Sequence, residues 1–158
     1  MKQFILVIAI LSGLLFACGG EQKPKPNSEP QVNNAPVEKP QEKTDSPEDL
    51  VLEAGKKVYD QYCIVCHQAD GQGVPNAFPP LVKTEWVLGD KEQLIAVVLN
   101  GLSGEIEVNG ETYNSAMLPH DFLTDDDIAA VITYVRSSFG NDAEAVTAQE
   151  VADVRASS

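Results

Sequence analysis

Two cysteines and a histidine, in the run Cys63-Ile64-Val65-Cys66-His67, stand between a helix-forming segment and a long loop rich in glycine and proline. That loop covers residues 68–89, and a second loop of similar character covers residues 101–123. Loops of about 20 residues are uncommon in a compact domain unless something inside the domain orders them. A chain with this pattern therefore needs an internal group around which its loops can pack.

The spacing within the run indicates what that group is. C-x-x-C-H is the attachment signature of c-type haem. Two thiols three residues apart can add to the two vinyl groups of a haem, and the histidine that follows places an imidazole beside the iron. The sequence therefore predicts one covalently attached haem c, with Cys63 and Cys66 as attachment sites and His67 as an axial ligand of the iron.

Three other uses of these residues fit the sequence context less well. A thioredoxin-like redox site belongs to a βαβ unit, whereas a helical pattern precedes Cys63. A structural zinc ion takes four ligands, and beyond the run the sequence offers only the distant His120 as a soft fourth ligand. A disulfide between Cys63 and Cys66 would leave His67 without a role.

The second axial position of the iron also has a candidate. Met1 lies in a segment that resembles a cleaved signal, so Met117 is the only methionine expected in the mature chain. Methionine opposite histidine raises the reduction potential of a haem, which suits an electron carrier. Core packing is the alternative role for this methionine, while ligation by His120 and an open position are the alternatives for the iron.

The signals that begin and end helices predict an all-α domain of three main helices, with long loops wrapped around one covalent haem. The three helices are expected over residues 46–62, 90–101 and 124–140. A weaker capping pattern predicts a short surface helix over residues 147–155. The expected apolar stripes are Leu50, Val51, Ala54, Val58 and Tyr62 on the first helix, and Ile128, Val131, Ile132 and Val135 on the third.

The residues before the first helix have the character of an export signal followed by a tether. Residues 1–17 hold one lysine and an apolar run that is too short to cross a bilayer as a helix. The run ends at Leu15-Phe16-Ala17-Cys18, which resembles the bacterial lipobox and implies a lipoprotein signal over residues 1–17 and a lipidated Cys18. Residues 18–45 are rich in proline and lack aromatic residues, which predicts a disordered tether. The haem domain is then residues 46–140, followed by a C-terminal tail over residues 141–158.

Residues 47–140 resemble a class I cytochrome c. The matching residues are Gly55 and Tyr59 on the first helix, the C-x-x-C-H run, Phe78-Pro79-Pro80-Leu81, Met117, and Tyr134 on the last main helix. The resemblance implies the class I cytochrome c fold, in which the first and last helices cross closely. It also implies that Gly55 allows this approach and that Tyr59 packs near Tyr134.

The same resemblance implies contacts around the haem. The carbonyl of Pro79, with that of Pro80 as the second choice, is expected to accept a hydrogen bond from Nδ1 of His67. Such a bond fixes the orientation of a ligating imidazole. The family more often has a proline directly after its methionine, where this chain has Leu118.

The segment from Trp86 to Tyr113 is similar to cytochrome domains found beside quinoprotein dehydrogenases and copper nitrite reductases. Within it, Asn109-Gly110 is the strongest short turn signal and predicts a tight hairpin over residues 108–111. Trp86 and Tyr113 are candidates for hydrogen bonds to a haem propionate and, equally, for core aromatic residues.

The features above predict a monohaem electron carrier rather than an enzyme, exchanging electrons with redox proteins such as a dehydrogenase, a reductase or an oxidase. A haem peroxidase or a gas sensor with an open or labile sixth coordination site is the alternative. Lipidation of Cys18 implies attachment to a membrane of the bacterial cell envelope, on its periplasmic or other extracytoplasmic side.

The chain is acidic, with a formal net charge of −13 and a pI near 4.4. Residues 46–140 hold 15 acidic and five basic side chains, a net charge of −10. This balance counts against a nucleic-acid partner, because nucleic acids attract basic surfaces. The acidity serves either solubility alone or attraction to a redox partner with a basic docking face.

Overall fold

A computed structural model describes residues 46–157 as a series of helices with one hairpin. Its elements are α1 (Pro47–Val58), a π-helical turn (Tyr59–Cys63), α2 (Ile64–His67), α3 (Glu85–Leu88), α4 (Lys91–Asn100), β1 (Ile106–Val108), β2 (Glu111–Tyr113), α5 (Asp125–Ser137) and α6 (Ala148–Ser157). The three predicted main helices are present as α1, α4 and α5. The predicted signal peptide, Cys18 and the tether lie outside the described residues.

The predicted helix starts are confirmed by their caps. In each cap, a side-chain oxygen accepts a hydrogen bond from the backbone N–H three residues later, at 2.8–3.2 Å. The four capping residues are Ser46, Asp90, Thr124 and Thr147. Because such caps satisfy N–H groups that have no partner within the helix, short local patterns are enough to place these helix starts.

The helical segment that begins at Pro47 continues past residue 62, the predicted end of the first helix. Helix α1 itself ends at Val58, and the N–H of Ile64 then donates to Tyr59 O and closes a π-helical turn. One further helical turn, α2, ends at His67, and the next residue has a positive φ of 64°. The C-x-x-C-H run is therefore held on a helix and ends where that helix ends.

Helix α1 crosses α5 at Gly55, as the family resemblance implies. A Cβ atom at Gly55 would lie 2.1 Å from Ala130 O, so the crossing requires a glycine. The rings of Tyr59 and Tyr134 lie 5.6 Å apart, which confirms the expected contact.

The predicted apolar stripe of α1 is wrong at its N-terminal end. Leu50, Val51 and Ala54 are exposed, whereas Gly55 and Val58 are buried. The close approach at Gly55 fixes the rotation of α1, so the buried face is the one that carries the glycine. On α5 the predicted stripe is confirmed, since its members are 0–8% exposed: Ile128, Val131, Ile132 and Val135.

The segment between α4 and α5 contains the predicted hairpin, with Val108 paired to Glu111. Asn109 and Gly110 both have positive φ, as a two-residue hairpin turn of this kind requires. The loop predicted over residues 68–89, before α4, contains the short helix α3. Thr84 caps this helix by accepting a hydrogen bond from Val87 N.

The packed core extends past the predicted domain boundary at residue 140. Val146 and Val151 are 5% and 0% exposed and belong to the same apolar cluster as α5. Lys91 Nζ donates to Ala145 O at 3.0 Å and to Glu150 Oε1 at 2.8 Å, which joins α6 to α4. Among residues 46–157, no helix is both long and apolar enough to cross a membrane.

Candidate functional site

An apolar cavity of about 530 Å³ lies between α2, the loop after it, α4, the segment before α5, and α5 itself. Side chains that can bind a metal or react covalently line it: Cys63, Cys66, His67, Met117 and His120. The rest of the lining is almost wholly apolar, with Thr84 and Ser115 among the few polar members. The structure thus brings the C-x-x-C-H run and Met117 together around one largely apolar cavity.

The helical turn that carries the C-x-x-C-H run determines which side chains reach the cavity. Cys63, Cys66 and His67 line the cavity, whereas Val65 is 77% exposed. Burial raises the pKa of the Cys63 thiol to about 11, with a further contribution from the nearby Cys66. Both cysteines are free thiols.

The imidazole of His67 is oriented by the loop that follows it. Nδ1 of His67 lies 3.0 Å from Pro79 O, which confirms the expected hydrogen bond and selects Pro79 over Pro80. Burial lowers the pKa of the imidazole, and the bond to Pro79 offsets part of this effect. The lowered pKa favours a neutral ring, and the bond at Nδ1 leaves Nε2 available to a metal ion.

The loop reaches His67 through a close backbone contact at Gly73. Gly73 N donates to His67 O at 3.0 Å, and Gly73 has a φ of +66°. A Cβ atom on Gly73 would lie 2.3 Å from Phe78 O and 2.6 Å from Pro79 O. A larger residue here would push away the carbonyl that accepts the His67 hydrogen bond.

Met117 lies in the segment before α5, where two backbone hydrogen bonds fix its position. Leu102 N donates to Met117 O at 3.0 Å, and Met117 N donates to Leu102 O at 2.8 Å. Gly101, the residue after α4, has a φ of +73°, and a Cβ atom there would lie 2.5 Å from Met117 O. These backbone contacts place the side chain of Met117 in the cavity lining.

His120 lines the same cavity but is held differently. Its Nδ1 is the one buried side-chain nitrogen or oxygen within the described part of the chain that lacks a hydrogen-bond partner. Its ring packs against those of Tyr62 and Phe122, at centroid distances of 6.3 Å and 5.8 Å.

The two aromatic candidates differ in position. Trp86 lines the cavity, and its indole N–H donates to Glu107 O at 2.9 Å. Tyr113 is buried in β2 and is not part of the cavity lining.

Sequence reasoning missed Thr84, which is 1% exposed and lines the cavity while capping α3. The Thr84-Glu85 pair is a helix-start signal that could have identified it.

Apolar side chains from the loop after α2 and from α4 shield the cavity from water. Leu81, Val97 and Val98 line the cavity, whereas Ile128 lies in the core behind it. No group of three or more His, Cys, Asp or Glu side chains that could hold a bare metal ion occurs in residues 46–157. The volume of about 530 Å³ and the mostly apolar lining suit a large apolar group.

A family model described as Cytochrome c matches residues 52–139. The chain belongs to the cytochrome c family. Cytochrome c-552 of Thermus thermophilus is 45% identical over 112 residues, which cover 65% of this chain and 84% of that protein. Two cytochrome subunits of dehydrogenases are similar over 65% of this chain but only 22% and 24% of their own lengths. They are the fructose dehydrogenase cytochrome subunit of Gluconobacter japonicus, 35% identical, and the gluconate 2-dehydrogenase cytochrome c subunit of Pantoea cypripedii, 34% identical.

Membership confirms the resemblance to class I cytochromes c, and the mostly helical structure is consistent with their fold. Cytochromes c carry covalently attached haem c, and a single matched domain fits one haem. The described residues fit this group: two free thiols, an oriented imidazole and a thioether line one apolar cavity. Electron transfer is the function that this family indicates.

Proposed function

We propose that this chain is a monohaem electron carrier with histidine and methionine as the axial ligands of the iron. Cys63 and Cys66 form the thioether links, and His67 and Met117 occupy the axial positions. The observation that carries the proposal is that all four side chains line one apolar cavity while His67 Nδ1 lies 3.0 Å from Pro79 O. The haem supplies reversible one-electron chemistry between ferric and ferrous iron.

The protein contributes position and exclusion of water. The hydrogen bond to Pro79 holds the His67 ring, and the paired bonds to Leu102 hold the backbone of Met117. Leu81 and Val98 supply apolar surface around the cavity. Ligands held in this way move little when the iron changes oxidation state. Electron transfer itself needs no side chain that makes or breaks a bond.

The axial ligands are tested by absorption spectroscopy of the haem-loaded chain. A ferric charge-transfer band near the red edge of the visible spectrum reports a bond between methionine sulfur and iron. We expect this band in the unaltered protein and its loss in Met117→Ala. His120→Ala is the control, because His120 lines the same cavity and is the rival ligand. Loss of the band in His120→Ala but not in Met117→Ala would contradict the assignment.

The rival function is a haem peroxidase or gas sensor with an open or labile sixth site. The two functions differ in how fast the ferrous protein binds carbon monoxide. A carrier with six fixed ligands binds it slowly, because Met117 must leave first. Rapid binding to the unaltered ferrous protein would favour the rival.

We propose that the domain is anchored outside the cytoplasmic membrane through Cys18, after removal of a signal over residues 1–17, and that residues 18–45 tether it. The sequence Leu15-Phe16-Ala17-Cys18 supports this proposal. Mass spectrometry of the mature N-terminus should find a lipid-modified Cys18, and Cys18→Ala should move the haem protein from the membrane to the soluble fraction. Ser12→Ala, within the signal, is the control; an unmodified Cys18 would contradict the anchor.

We propose that the partners are redox proteins, and that a dehydrogenase is one of them. Relatives that are cytochrome subunits of dehydrogenases support this. The segments that supply much of the cavity lining, residues 61–69, 71–82 and 112–120, contain no Asp, Glu, Lys or Arg. Val65 and Leu118, within these segments, are 77% and 74% exposed. Asp70 and Asp121 are among the acidic residues that adjoin these segments, and the remaining acidic residues of the domain lie elsewhere in the sequence.

This distribution favours a partner whose basic residues surround an uncharged contact area. Acidic residues away from the cavity would then attract the partner at long range, while exposed apolar side chains make the contact. The second-order rate of electron transfer should fall as ionic strength rises. A rate that does not change between low and high salt would contradict the basic docking face but not the proposed electron transfer.

A further inference from the structure

Arg155, in the last turn of α6, binds a turn that lies between Met117 and α5. Its Nη1 donates to Asp121 O at 2.8 Å, and its Nη2 donates to Leu123 O at 2.9 Å. Its Nε donates to Asp125 Oδ1 at 2.8 Å, in the first turn of α5. All three guanidinium nitrogens therefore have separate acceptors, and the planar group fixes the acceptors relative to one another.

The turn held by Arg155 is continuous with the segment that carries Met117. Leu123 N donates to His120 O at 3.1 Å, and His120 N donates to Val98 O at 3.0 Å. At the other end of this segment, Met117 is paired with Leu102. Residues 117–123 are thus held at one end by Leu102, in the middle by α4, and at the other end by Arg155.

The helix that presents Arg155 is itself firmly placed. Val151 is fully buried in the core, and Lys91 binds both Ala145 O and Glu150 at the other end of α6. The side chain of Arg155 is 34% exposed, so its hydrogen bonds are only partly open to water. Residues 148–157 lie beyond the part of the chain that the family model matches.

We propose that Arg155 is a positioning residue for the axial ligand Met117. By holding the turn at residues 121–123, it limits movement of the segment that presents the thioether to the cavity. This inference rests on the proposed function, in which Met117 ligates the iron. It assigns to the C-terminal helix a role in the haem site rather than in stability alone.

The test uses the full haem-loaded chain with Arg155→Gln, and Glu150→Gln as the matched control that weakens the other end of α6. Two thermal transitions are measured: loss of the charge-transfer band of methionine ligation, and loss of helical circular dichroism. In Arg155→Gln the band should disappear well below the temperature at which the helices melt. In Glu150→Gln the two transitions should keep the spacing found in the unaltered protein. Imidazole should replace the sixth ligand at least tenfold faster in Arg155→Gln than in the control.

Arg155→Lys gives a second, milder variant, since it keeps the charge but not the three separate hydrogen bonds. An intermediate effect on the band is expected. The proposal is overturned if Arg155→Gln shifts both transitions in parallel with Glu150→Gln, or if it shifts neither. A separate failure, the absence of the band in the unaltered protein or its survival in Met117→Ala, would instead refute the proposed ligand set.

Discussion

At the scale of single residues, the position of Met117 depends on a neighbour that has no side chain. Gly101 has a φ of +73°, and a Cβ atom there would lie 2.5 Å from Met117 O and 2.9 Å from Pro119 N. Any other residue must both adopt an unfavourable backbone conformation and displace the segment that carries the methionine. Such backbone strain costs on the order of 1–3 kcal/mol.

We therefore expect Gly101→Ala to lower the free energy of unfolding by more than the strain alone and to weaken the methionine–iron band. Gly104→Ala is the matched control, because Gly104 also has a positive φ, of +99°, but a Cβ atom there meets nothing within 4 Å. Denaturant unfolding and the visible spectrum of both variants measure the difference. Equal effects at the two positions would show that contact with the Met117 segment does not matter.

The residues of the site could be predicted from the sequence where their chemistry is local. Cys63, Cys66 and His67 follow from their spacing alone. The role of Pro79 needed the family resemblance, whereas Met117 follows from being the only methionine expected in the mature chain. The predicted bond from His67 to Pro79 is present. Arg155 could not be found in this way, because its acceptors lie about 30 residues earlier in the chain and two of them are backbone carbonyls. No side-chain pattern records a contact with a carbonyl group.

At the scale of elements, the crossing of α1 and α5 is the contact that leaves least freedom. We expect Gly55→Ala to lower the free energy of unfolding by about 2 kcal/mol, because overpacking at this tight contact, about 3 kcal/mol, outweighs the gain of about 1 kcal/mol that alanine brings to a helix. Ala54→Gly, at the exposed neighbouring position, should cost about 1 kcal/mol from helix propensity alone. Urea unfolding measures both, and a stabilised Gly55→Ala would contradict the crossing.

The contact between α4 and α6 gives a prediction about pH. The hydrogen bond from the Lys91 ammonium, more than any other cause, lowers the pKa of the Glu150 carboxyl to about 2. Since the folded-state pKa lies below the ordinary value of 4.5, the contact stabilises fully above about pH 5, and the contribution is lost as pH falls towards 2. Glu150 is partly exposed, so its contribution is at most about 1 kcal/mol.

The measurement is urea unfolding of the unaltered protein and Glu150→Gln across this pH range. The unaltered protein should be the more stable of the two at pH 7, and the difference should disappear near pH 2. A difference that stays constant from pH 7 to pH 2 would rule out ionisation of this carboxyl as its source.

The elements themselves were predictable to different degrees. The four helix starts depend on a capping side chain and a backbone N–H three residues later, and all four were found from the sequence. The buried face of α1 was not, because α1 is apolar at Leu50 and Val51 on a face that remains exposed. The contact at Gly55 decides the rotation of the helix, and a glycine gives no hydrophobic signal.

At the scale of the whole molecule, the cavity makes the folded state depend on its cofactor. Without haem, the apolar side chains that line this cavity of about 530 Å³ would lose their packing partner and be exposed to water. An ordinary domain is stable by only about 5–15 kcal/mol, so such a loss weighs heavily against the folded state. A chain without haem is therefore expected to collapse or unfold rather than keep this structure.

The double variant Cys63→Ala/Cys66→Ala, prepared without haem, tests this dependence. Its far-ultraviolet circular dichroism should show no cooperative thermal transition, in contrast to the haem-loaded unaltered protein. A sharp transition at the temperature of the haem-loaded protein would mean that the helices carry the fold without the cofactor.

The pairing of Leu102 with Met117 also has a consequence for how this molecule can be altered. The two backbone hydrogen bonds close residues 103–116 into a separate loop that begins and ends at the same place. Because closing a longer loop adds little entropy cost, changes of length at the Asn109-Gly110 tip need not reach Met117. The exposed tip is thus a place where peptides can be inserted or exchanged to change which surfaces the protein binds, at the loss of the hydrogen bonds from Asn109 N to the Glu85 carboxylate. Ile106 and Val108 of β1 line the cavity, so the strand itself must stay unchanged.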